Sequence, residues 1–403
     1  MTFVSSKLDI FAFCYGRFRH NRGQSSKMKI GIDIRTINKP KSGVGYYVTN
    51  LLKEFAEVDY NCQYCLISNE GTEEWASINT PKFQNYVTWI SNENHIIGDL
   101  WESLYLPFFL KNGGVDVFHG PAFMIPLLQK KKVRMVVTIH DIVAYLMPNT
   151  VPLKYAKYMQ LLIKLVAMRA DKIITPSTST KNDLMNYLNI TDSKIQVIHE
   201  GVSTKFKPLS SEKDHSYLQK KFGIKNQYML FIGNLEPRKN IIRLMLAYDQ
   251  ARDKLNGNWQ LVICGKKGWL YKEILETYNK LKRNGDIVLT NYVNEVDLLE
   301  LYRGADIFAF PTLYEGFGLP PLEAMASGVP VLTSNVSSLP EIVGDAALLV
   351  DPTSVDQISQ GLVKLALSES LRKNLREKGI RQASKFSWKK TAKETMDAYF
   401  SVL

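Results

Sequence analysis

Residues Leu313 to Pro330 read LYEGFGLPPLEAMASGVP and lie between two short apolar runs. The preceding run (305–311) ends at a proline, and the following run (329–333) is equally short, which is typical of buried parallel strands. A helix is predicted from about Pro320 to Ala326, because proline is tolerated in the first helical turn. A strand, a glycine-containing loop, a helix and a second strand predict an α/β fold, in which ligands bind beyond the carboxyl ends of the strands.

The loop and the start of the helix carry the residues suited to binding. Gly316 and Gly318 permit backbone shapes and close approaches that a side chain would block. The first amides of the helix form an anion site. Glu315 and Glu323 lie on either side of these amides, and a carboxylate can accept hydrogen bonds from two neighbouring sugar hydroxyls. A phosphate site between two such carboxylates predicts a nucleotide-sugar site, whereas a glycine turn with two solvent-facing glutamates is the structural alternative.

The same stretch resembles the signature of the retaining glycosyltransferases of family 4. The resemblance implies a GT-B fold, which has two Rossmann-like α/β domains facing across a cleft and a C-terminal helix that crosses back. It also implies that Glu315 contacts the transferred sugar and that Glu323 binds the ribose of the donor nucleotide. The donor-binding residues implied between them are Gly316, Phe317, Gly318 and Leu319.

Composition allows two ordinary domains and favours anionic partners. The chain has 403 residues and a formal net charge of +12. Such a charge suits nucleotides, phospholipid headgroups or lipid-linked phosphates, and no recognised module supports nucleic-acid binding. No apolar run reaches the length of a membrane span. The four cysteines suggest a reducing compartment, and Cys62 and Cys65 lack the second pair that a zinc site needs.

The first 27 residues differ from the rest of the chain. They hold five basic residues against one acidic residue, and their apolar residues follow no clean period. Met28 opens MKIGIDIRT, which is typical of a first strand. We interpret residues 1–27 as a disordered, dispensable extension or an upstream start, and a membrane-touching arm is the alternative.

Alternating strands and helices predict parallel sheets in two domains. We expect an N-terminal domain for the acceptor over residues 28–205, a C-terminal donor domain over 206–385, and a helix over 386–403 that returns to the first domain. The predicted strands include Lys29–Ile34, Tyr64–Ile67, Tyr86–Ile90, Val115–Phe118, Met135–Ile139, Ile195–Ile198, Tyr228–Ile232, Trp259–Cys264, Ile287–Leu289 and Ala347–Val350.

Further candidate residues in the first half follow predicted strands. Gly43 and Gly45 lie between the first strand and a helix, where the resemblance places donor phosphate and acceptor. His119 and His140 each follow an apolar strand. A lone histidine at a strand end is usually structural, but the resemblance implies that His119 approaches the transferred sugar and is catalytic. His140 and Asp141 resemble a family TxHD stretch in the cleft.

In the second half, a basic turn follows the strand at Tyr228. The turn reads GNLEPRKN from Gly233 to Asn240, and the helix after it is predicted to have Asn240 as its N-cap. The family binds the donor diphosphate here with an arginine and a lysine. Lys239 matches the lysine and is assigned a catalytic role, but Asn234 stands at the arginine position. Either Arg238 substitutes, or the diphosphate is held more loosely.

Two more expectations concern the base and the metal. Val293 lies in the loop that the family places against the nucleotide base. The chain contains no Asp-x-Asp sequence, so we predict no metal site, and charge on the leaving group must be met by Arg238, Lys239 and helix-start amides.

The helix predicted over 151–170 shows an apolar surface with one narrow polar stripe. The stripe consists of Lys154, Lys157, Gln160 and Lys164. We interpret it as the wet edge of a core helix. A membrane-surface helix is the alternative, although that class needs a wider basic face.

Together these features predict a metal-independent hexosyltransferase without a cofactor. SGVGYY and LEPRKN look most like the mannosyltransferase branch, which favours GDP-mannose as donor. The expected acceptor is a saccharide or a polyprenyl-linked saccharide of a surface polysaccharide. A cytoplasmic enzyme with a peripheral contact to the inner face of the plasma membrane fits this acceptor. A nucleotide-sugar 2-epimerase of the same fold and a non-catalytic nucleotide-binding protein are the alternatives.

Overall fold

The computed structural model describes residues 27–37, 43–58, 60–69, 80–88, 95–129, 132–209, 216–225 and 227–403. The predicted extension lies outside this range except for Lys27. The chain divides into two compact units. One comprises residues 1–137, 169–171 and 399–403, and the other comprises residues 138–168 and 172–398. The domain boundaries proposed from the sequence remain a prediction.

The first sheet has seven strands in the order β3-β2-β1-β4-β5-β6-β7. Strand β1 pairs in parallel with both β2 and β4, and its last four residues are all buried, as expected for a strand covered on both faces. Its strands are β1 (Met28–Asp33), β2 (Cys62–Asn69), β3 (Phe83–Thr88), β4 (Val117–Gly120), β5 (Arg134–Thr138), β6 (Lys172–Thr175) and β7 (Ile195–Val197). The helices in this part of the chain are α1 (Gly43–Glu57), α2 (His95–Leu104), α3 (Leu106–Asn112), α4 (Val143–Leu146), α5 (Leu153–Arg169) and α6 (Thr178–Leu188).

The second sheet has six parallel strands in the order β10-β9-β8-β11-β12-β13. Its strands are β8 (Tyr228–Ile232), β9 (Gln260–Cys264), β10 (Ile287–Asn291), β11 (Ile307–Phe310), β12 (Val331–Ser334) and β13 (Ala347–Val350). The helices are α7 (Ser216–Phe222), α8 (Ile241–Arg252), α9 (Lys272–Lys280), α10 (Glu295–Gly304), α11 (Leu319–Ala326), α12 (Leu339–Val343), α13 (Val355–Leu367), α14 (Glu369–Ala383) and α15 (Trp388–Phe400).

The quoted stretch connects β11 to β12 through a loop and a helix, in the order predicted from the sequence. All four residues of β11 are buried, and β11 pairs with β8 on one side and β12 on the other. The helix that follows starts at Leu319 with prolines in its first turn. Because β11 is central, the loop after it opens at the carboxyl edge of the sheet, where a ligand can meet several strand ends.

Helix α15 carries the chain back to the first sheet, which confirms the predicted return. The Thr391 hydroxyl donates to the carbonyl of His199, two residues after β7. Near the end of the helix, Tyr399 is fully buried and its hydroxyl lies 2.6 Å from Nδ1 of His119 on β4.

Asn240 occupies the predicted N-cap position of α8, but the side-chain cap expected there does not form. Asn240 precedes α8, but its backbone is left-handed (φ 60°) and its side chain does not cap the helix. Its amide instead donates to the carbonyls of Pro311 and Pro352, each at 2.7 Å. Asparagine tolerates this conformation better than most residues, so it ties the turn before α8 to the segment after β11.

No helix among the described residues is long and apolar enough to cross a bilayer.

Candidate donor site

Glu315 is the centre of a buried ion cluster in the loop after β11. Its Oε1 lies 2.7 Å from Nζ of Lys239, and its Oε2 lies 3.1 Å from Nη1 of Arg238. Arg238 also pairs with Glu236 at 2.9 Å. The two cations belong to the short 3-10 turn Pro237–Lys239 after β8, the strand beside β11.

Backbone contacts fix the two loops against each other. The amide of Leu313 donates to the carbonyl of Arg238 at 2.9 Å, and the Arg238 guanidinium donates to the carbonyl of Tyr314 at 2.7 Å. These contacts between the two loops set the position of Glu315 relative to both cations.

The cluster keeps Glu315 ionised. Burial acts to raise the pKa of its carboxyl group, but the charges of Arg238 and Lys239 outweigh that effect and hold the pKa below its ordinary value. A carboxylate of this kind can stabilise positive charge that develops on a bound sugar.

Glu323 on α11 has a different environment. Its Oε2 accepts a hydrogen bond from the Tyr302 hydroxyl at 2.8 Å. Burial raises the pKa of Glu323 to about 7, with a further contribution from the charge of Glu200, while the bond from Tyr302 opposes the rise. Near neutral pH this group is present in both protonation states, so the two glutamates of the signature differ in charge.

Gly316 is required by a close backbone approach. A Cβ atom at this position would lie 1.9 Å from the carbonyl oxygen of His140. The Gly316 carbonyl accepts hydrogen bonds from the hydroxyls of Ser177 at 2.6 Å and Thr180 at 3.2 Å. Gly316, which the sequence analysis assigned to close approach of a ligand, thus also packs the loop after β11 against the start of α6.

Comparisons with known proteins identify the family of the chain. Residues 41–206 match the model described as Glycosyltransferase Family 4, and residues 216–382 match the model described as Glycosyl transferases group 1. The O-antigen chain mannosyltransferase B of Escherichia coli is 35% identical over 283 residues, which are 70% of this chain and 74% of that protein. The chain belongs to glycosyltransferase family 4.

Solved structures similar to this glycosyltransferase share its fold. Sucrose-phosphate synthase from Thermosynechococcus elongatus has a TM-score of 0.75 at 17% identity, covering 93% of this chain and 99% of that one. Anabaena HepE in complex with UDP-glucose has a TM-score of 0.73 at 15% identity, covering 93% and 100%. The predicted GT-B fold is thus confirmed.

Within this glycosyltransferase, the structure brings Arg238, Lys239, Glu315 and Gly316 together. Asn234 is exposed, and its Cβ would lie 3.3 Å from a Cβ added at Gly268. The roles assigned to the donor-binding residues remain predictions. They include Phe317, which is buried, Gly318, which has φ 124° before α11, and Leu319 and Val293, which both pack partly buried against the core of the second sheet.

The two histidines have different environments. His119 is fully buried on β4 beside Tyr399, an arrangement that favours a structural role. His140 is partly exposed, its carbonyl faces Gly316, and its Nδ1 lies 3.2 Å from Oε1 of Glu200. The neighbouring Asp141 accepts from the amide of Val143. The predicted catalytic role of His119 is untested.

The other predicted glycines lie at the start of α1. Gly43 is its first residue and has open space around it, whereas Gly45 is buried in its first turn. The preceding loop residues 39–42 lie outside the described part of the chain, and the predicted phosphate and acceptor roles of both glycines stay predictions.

Sequence reasoning missed three residues of the segment that begins α6. Ser177, Thr180 and Asp183 are spaced three apart and therefore share one face of the helix. Ser177 and Thr180 donate to the Gly316 carbonyl, and Asp183 accepts from the Tyr314 hydroxyl at 2.7 Å. The only available signal was the serine- and threonine-rich start of a helix, which predicts a cap and says nothing about a partner 131 positions away.

Tyr314→Phe is expected to lower the free energy of unfolding by about 1–3 kcal/mol, because it removes a hydrogen bond to a partly buried carboxylate. Burial already raises the pKa of Asp183 above its ordinary value. Urea unfolding measures the change. Tyr187→Phe is the matched control, since Tyr187 lies exposed on α6, the helix that carries Asp183. Equal unfolding midpoints for the two variants would contradict this role of Tyr314.

Proposed function

We propose that this glycosyltransferase transfers mannose from GDP-mannose to a saccharide or polyprenyl-linked saccharide acceptor, with retention of configuration, in surface polysaccharide synthesis. The observation that carries the proposal is the ionised, buried Glu315, held between two cations at the carboxyl edge of the second sheet. The similarity to an O-antigen chain mannosyltransferase supports mannose as the sugar.

Each group has a distinct task in the proposed reaction. As the bond to the leaving diphosphate breaks, Glu315 stabilises the positive charge that develops at the anomeric carbon. Lys239 and Arg238 neutralise the diphosphate, together with the first amides of α11. Glu323 accepts hydrogen bonds from the ribose hydroxyls in the ground state and the transition state alike.

A metal-independent reaction is part of the proposal. The support is that Lys239 and Arg238 already lie at the site, and the cationic charge they bring can substitute for that of a metal ion at the diphosphate. Among the described residues, no group of three histidine, cysteine, aspartate or glutamate side chains is arranged to hold a metal.

For the histidine beside the donor we favour His140 over His119. Support comes from the His140 carbonyl, which abuts Gly316, and from its partly exposed ring. A hydrogen bond that the Glu200 carboxylate accepts from Nδ1 orients the ring. His119 would have to leave its buried contact with Tyr399 to reach a sugar.

A thermal-shift screen of nucleotide sugars tests the donor. GDP-mannose is expected to raise Tm most, because a ligand at about 100 times its Kd stabilises the native state by about 2.7 kcal/mol. A larger shift with UDP-glucose would contradict the donor assignment. Turnover of GDP-mannose that needs no acceptor would indicate a 2-epimerase, and binding without turnover would indicate a nucleotide-binding protein.

Donor affinity is expected to depend on pH through Glu323. The ribose hydroxyls need an acceptor, so binding favours the carboxylate and weakens as pH falls below about 7, the value to which burial raises the pKa of Glu323. Glu323→Gln should raise the donor KM about 10-fold at high pH, with a smaller change in kcat, since a charge-assisted bond becomes a neutral one. The variant should also lose the pH dependence of KM between pH 6 and about 8. A wild-type pH profile in the variant would exclude this role.

A further inference from the structure

Helix α5 exposes a face on which apolar and basic side chains alternate. Its exposed residues fall within about 120° of the helix circumference at 100° per residue. They are Leu153, Lys154, Lys157, Leu161, Lys164, Leu165 and Met168. We call this set the α5 face.

The α5 face corrects the sequence interpretation of a narrow polar stripe. Gln160, assigned to that stripe, is partly buried and donates to the Ala144 carbonyl at 2.7 Å. Four apolar side chains occupy the exposed positions instead. Their exposed fractions are 65% for Leu153, 60% for Leu161, 41% for Leu165 and 64% for Met168.

The charge on this helix has one sign. Residues 153–169 include three lysines and one arginine and no acidic residue. Within the part of the chain that the structure describes, Lys154, Lys157 and Lys164 form no ion pair with a carboxylate. An ordinary solvated helix face mixes both signs and exposes few large apolar groups, so solvent exposure alone does not account for this pattern.

We propose that the α5 face is a docking surface for an anionic lipid bilayer. Exposed leucine and methionine side chains can enter the boundary between headgroups and acyl chains, while the interleaved lysines neutralise lipid phosphates. The face runs from Leu153 to Met168, roughly 22 Å at 1.5 Å per residue. That length lets the helix lie flat on the surface with all seven side chains facing the lipid.

A loop beside the start of α5 has the same character. It follows β9 and carries the exposed residues Lys266, Lys267, Trp269 and Leu270. The Trp269 ring packs edge-on against Tyr155 of α5, with centroids 4.3 Å apart. Tryptophan and lysine are residues favoured at membrane interfaces, so the loop extends the basic and apolar surface along one side of the helix.

Vesicle co-sedimentation of the full chain tests the proposal. The protein should sediment with phosphatidylcholine vesicles that contain phosphatidylglycerol, and remain in solution with pure phosphatidylcholine. Lys157→Gln with Lys164→Gln should lower the partition coefficient about 30-fold, because each lysine near an anionic surface contributes roughly five- to sixfold. Leu161→Gln with Met168→Gln should lower it at least about 10-fold by removing two inserting side chains.

Matched controls separate the α5 face from general charge and hydrophobicity. Lys389→Gln with Lys393→Gln removes two exposed lysines from α15, and Leu367→Gln with Leu403→Gln removes two exposed leucines. Both controls should bind vesicles like the wild type, and circular dichroism should show all variants folded.

Three outcomes would overturn the proposal. The wild type could fail to sediment with anionic vesicles, or the α5 variants could sediment as well as the controls do. The third outcome is a wild-type dimer in size-exclusion chromatography that the α5 substitutions convert to monomer while vesicle binding stays unchanged. The α5 face would then be an interface between copies of this chain. None of these measurements involves donor turnover, so their results neither support nor contradict the donor assignment.

Discussion

Glu315→Gln is expected to lower kcat by on the order of 10²–10³-fold, the usual scale for one preorganised electrostatic group. Glutamine keeps the shape of the side chain but removes the negative charge that faces the anomeric carbon as the sugar–phosphate bond breaks. The loss should appear in kcat rather than in donor KM, because the interaction strengthens only in the transition state. Steady-state kinetics with saturating acceptor and varied donor measure both constants.

The stability of the Glu315→Gln variant must be measured together with its kinetics. Removing the carboxylate leaves Lys239 and Arg238 buried with less compensating charge, which costs on the order of 3–5 kcal/mol. Glu236→Gln is a suitable control, since the Glu236 carboxylate pairs with Arg238 at 2.9 Å, whereas the ion pair of Lys239 is made by Glu315. If Glu315→Gln is folded, binds donor and keeps a kcat near that of the control, the catalytic assignment fails.

Lys239→Ala is expected to lower kcat/KM about 100-fold, which corresponds to about 2.7 kcal/mol at 1.36 kcal/mol per tenfold. That is the scale of a hydrogen bond to a charged group. Under the proposed assignment Lys239 donates to the diphosphate, while Arg238 is held by Glu236, Glu315 and the Tyr314 carbonyl. Arg238→Ala should therefore cost less, and kinetics of the two alanine variants make the comparison.

A larger loss of kcat/KM for Arg238→Ala than for Lys239→Ala would show that Arg238 has taken the place of the arginine that Asn234 replaces.

The same protein preparations test metal dependence. Added EDTA should leave the activity of the wild type unchanged, and a loss that Mg²⁺ restores would contradict a reaction that relies on protein cations alone.

The fold was predictable because parallel strands leave a strong local signal. Tyr228–Ile232 and Ala347–Val350 were predicted with their observed bounds, and the other strands differ by a few residues at their ends. Continuous apolar runs between turn residues determine strands whatever their partners are.

Features that depend on distant partners were not predictable. The resemblance placed Lys239 and Glu315, which are 76 positions apart, in one donor site, but it did not predict their ion pair, which depends on the pairing of β8 with β11. The side-chain cap expected at Asn240 does not form for a related reason, since its amide group donates to the carbonyls of Pro311 and Pro352 and its Oδ1 accepts from Arg243. The α5 face was missed because periodicity shows which side of a helix is polar but not how far its leucines protrude.

The ion cluster has a consequence for how the enzyme releases its product. Glu315 forms ion pairs with both cations. Under the proposed assignment of these cations to the diphosphate, Glu315 gives Lys239 and Arg238 an internal counter-ion once the nucleoside diphosphate has left, so they do not become bare buried charges, which would be costly. Re-formation of these bonds offsets part of the free energy needed to strip the diphosphate away. Under the proposed assignment, the glutamate that promotes bond cleavage thus also acts as an internal competitor that limits product inhibition.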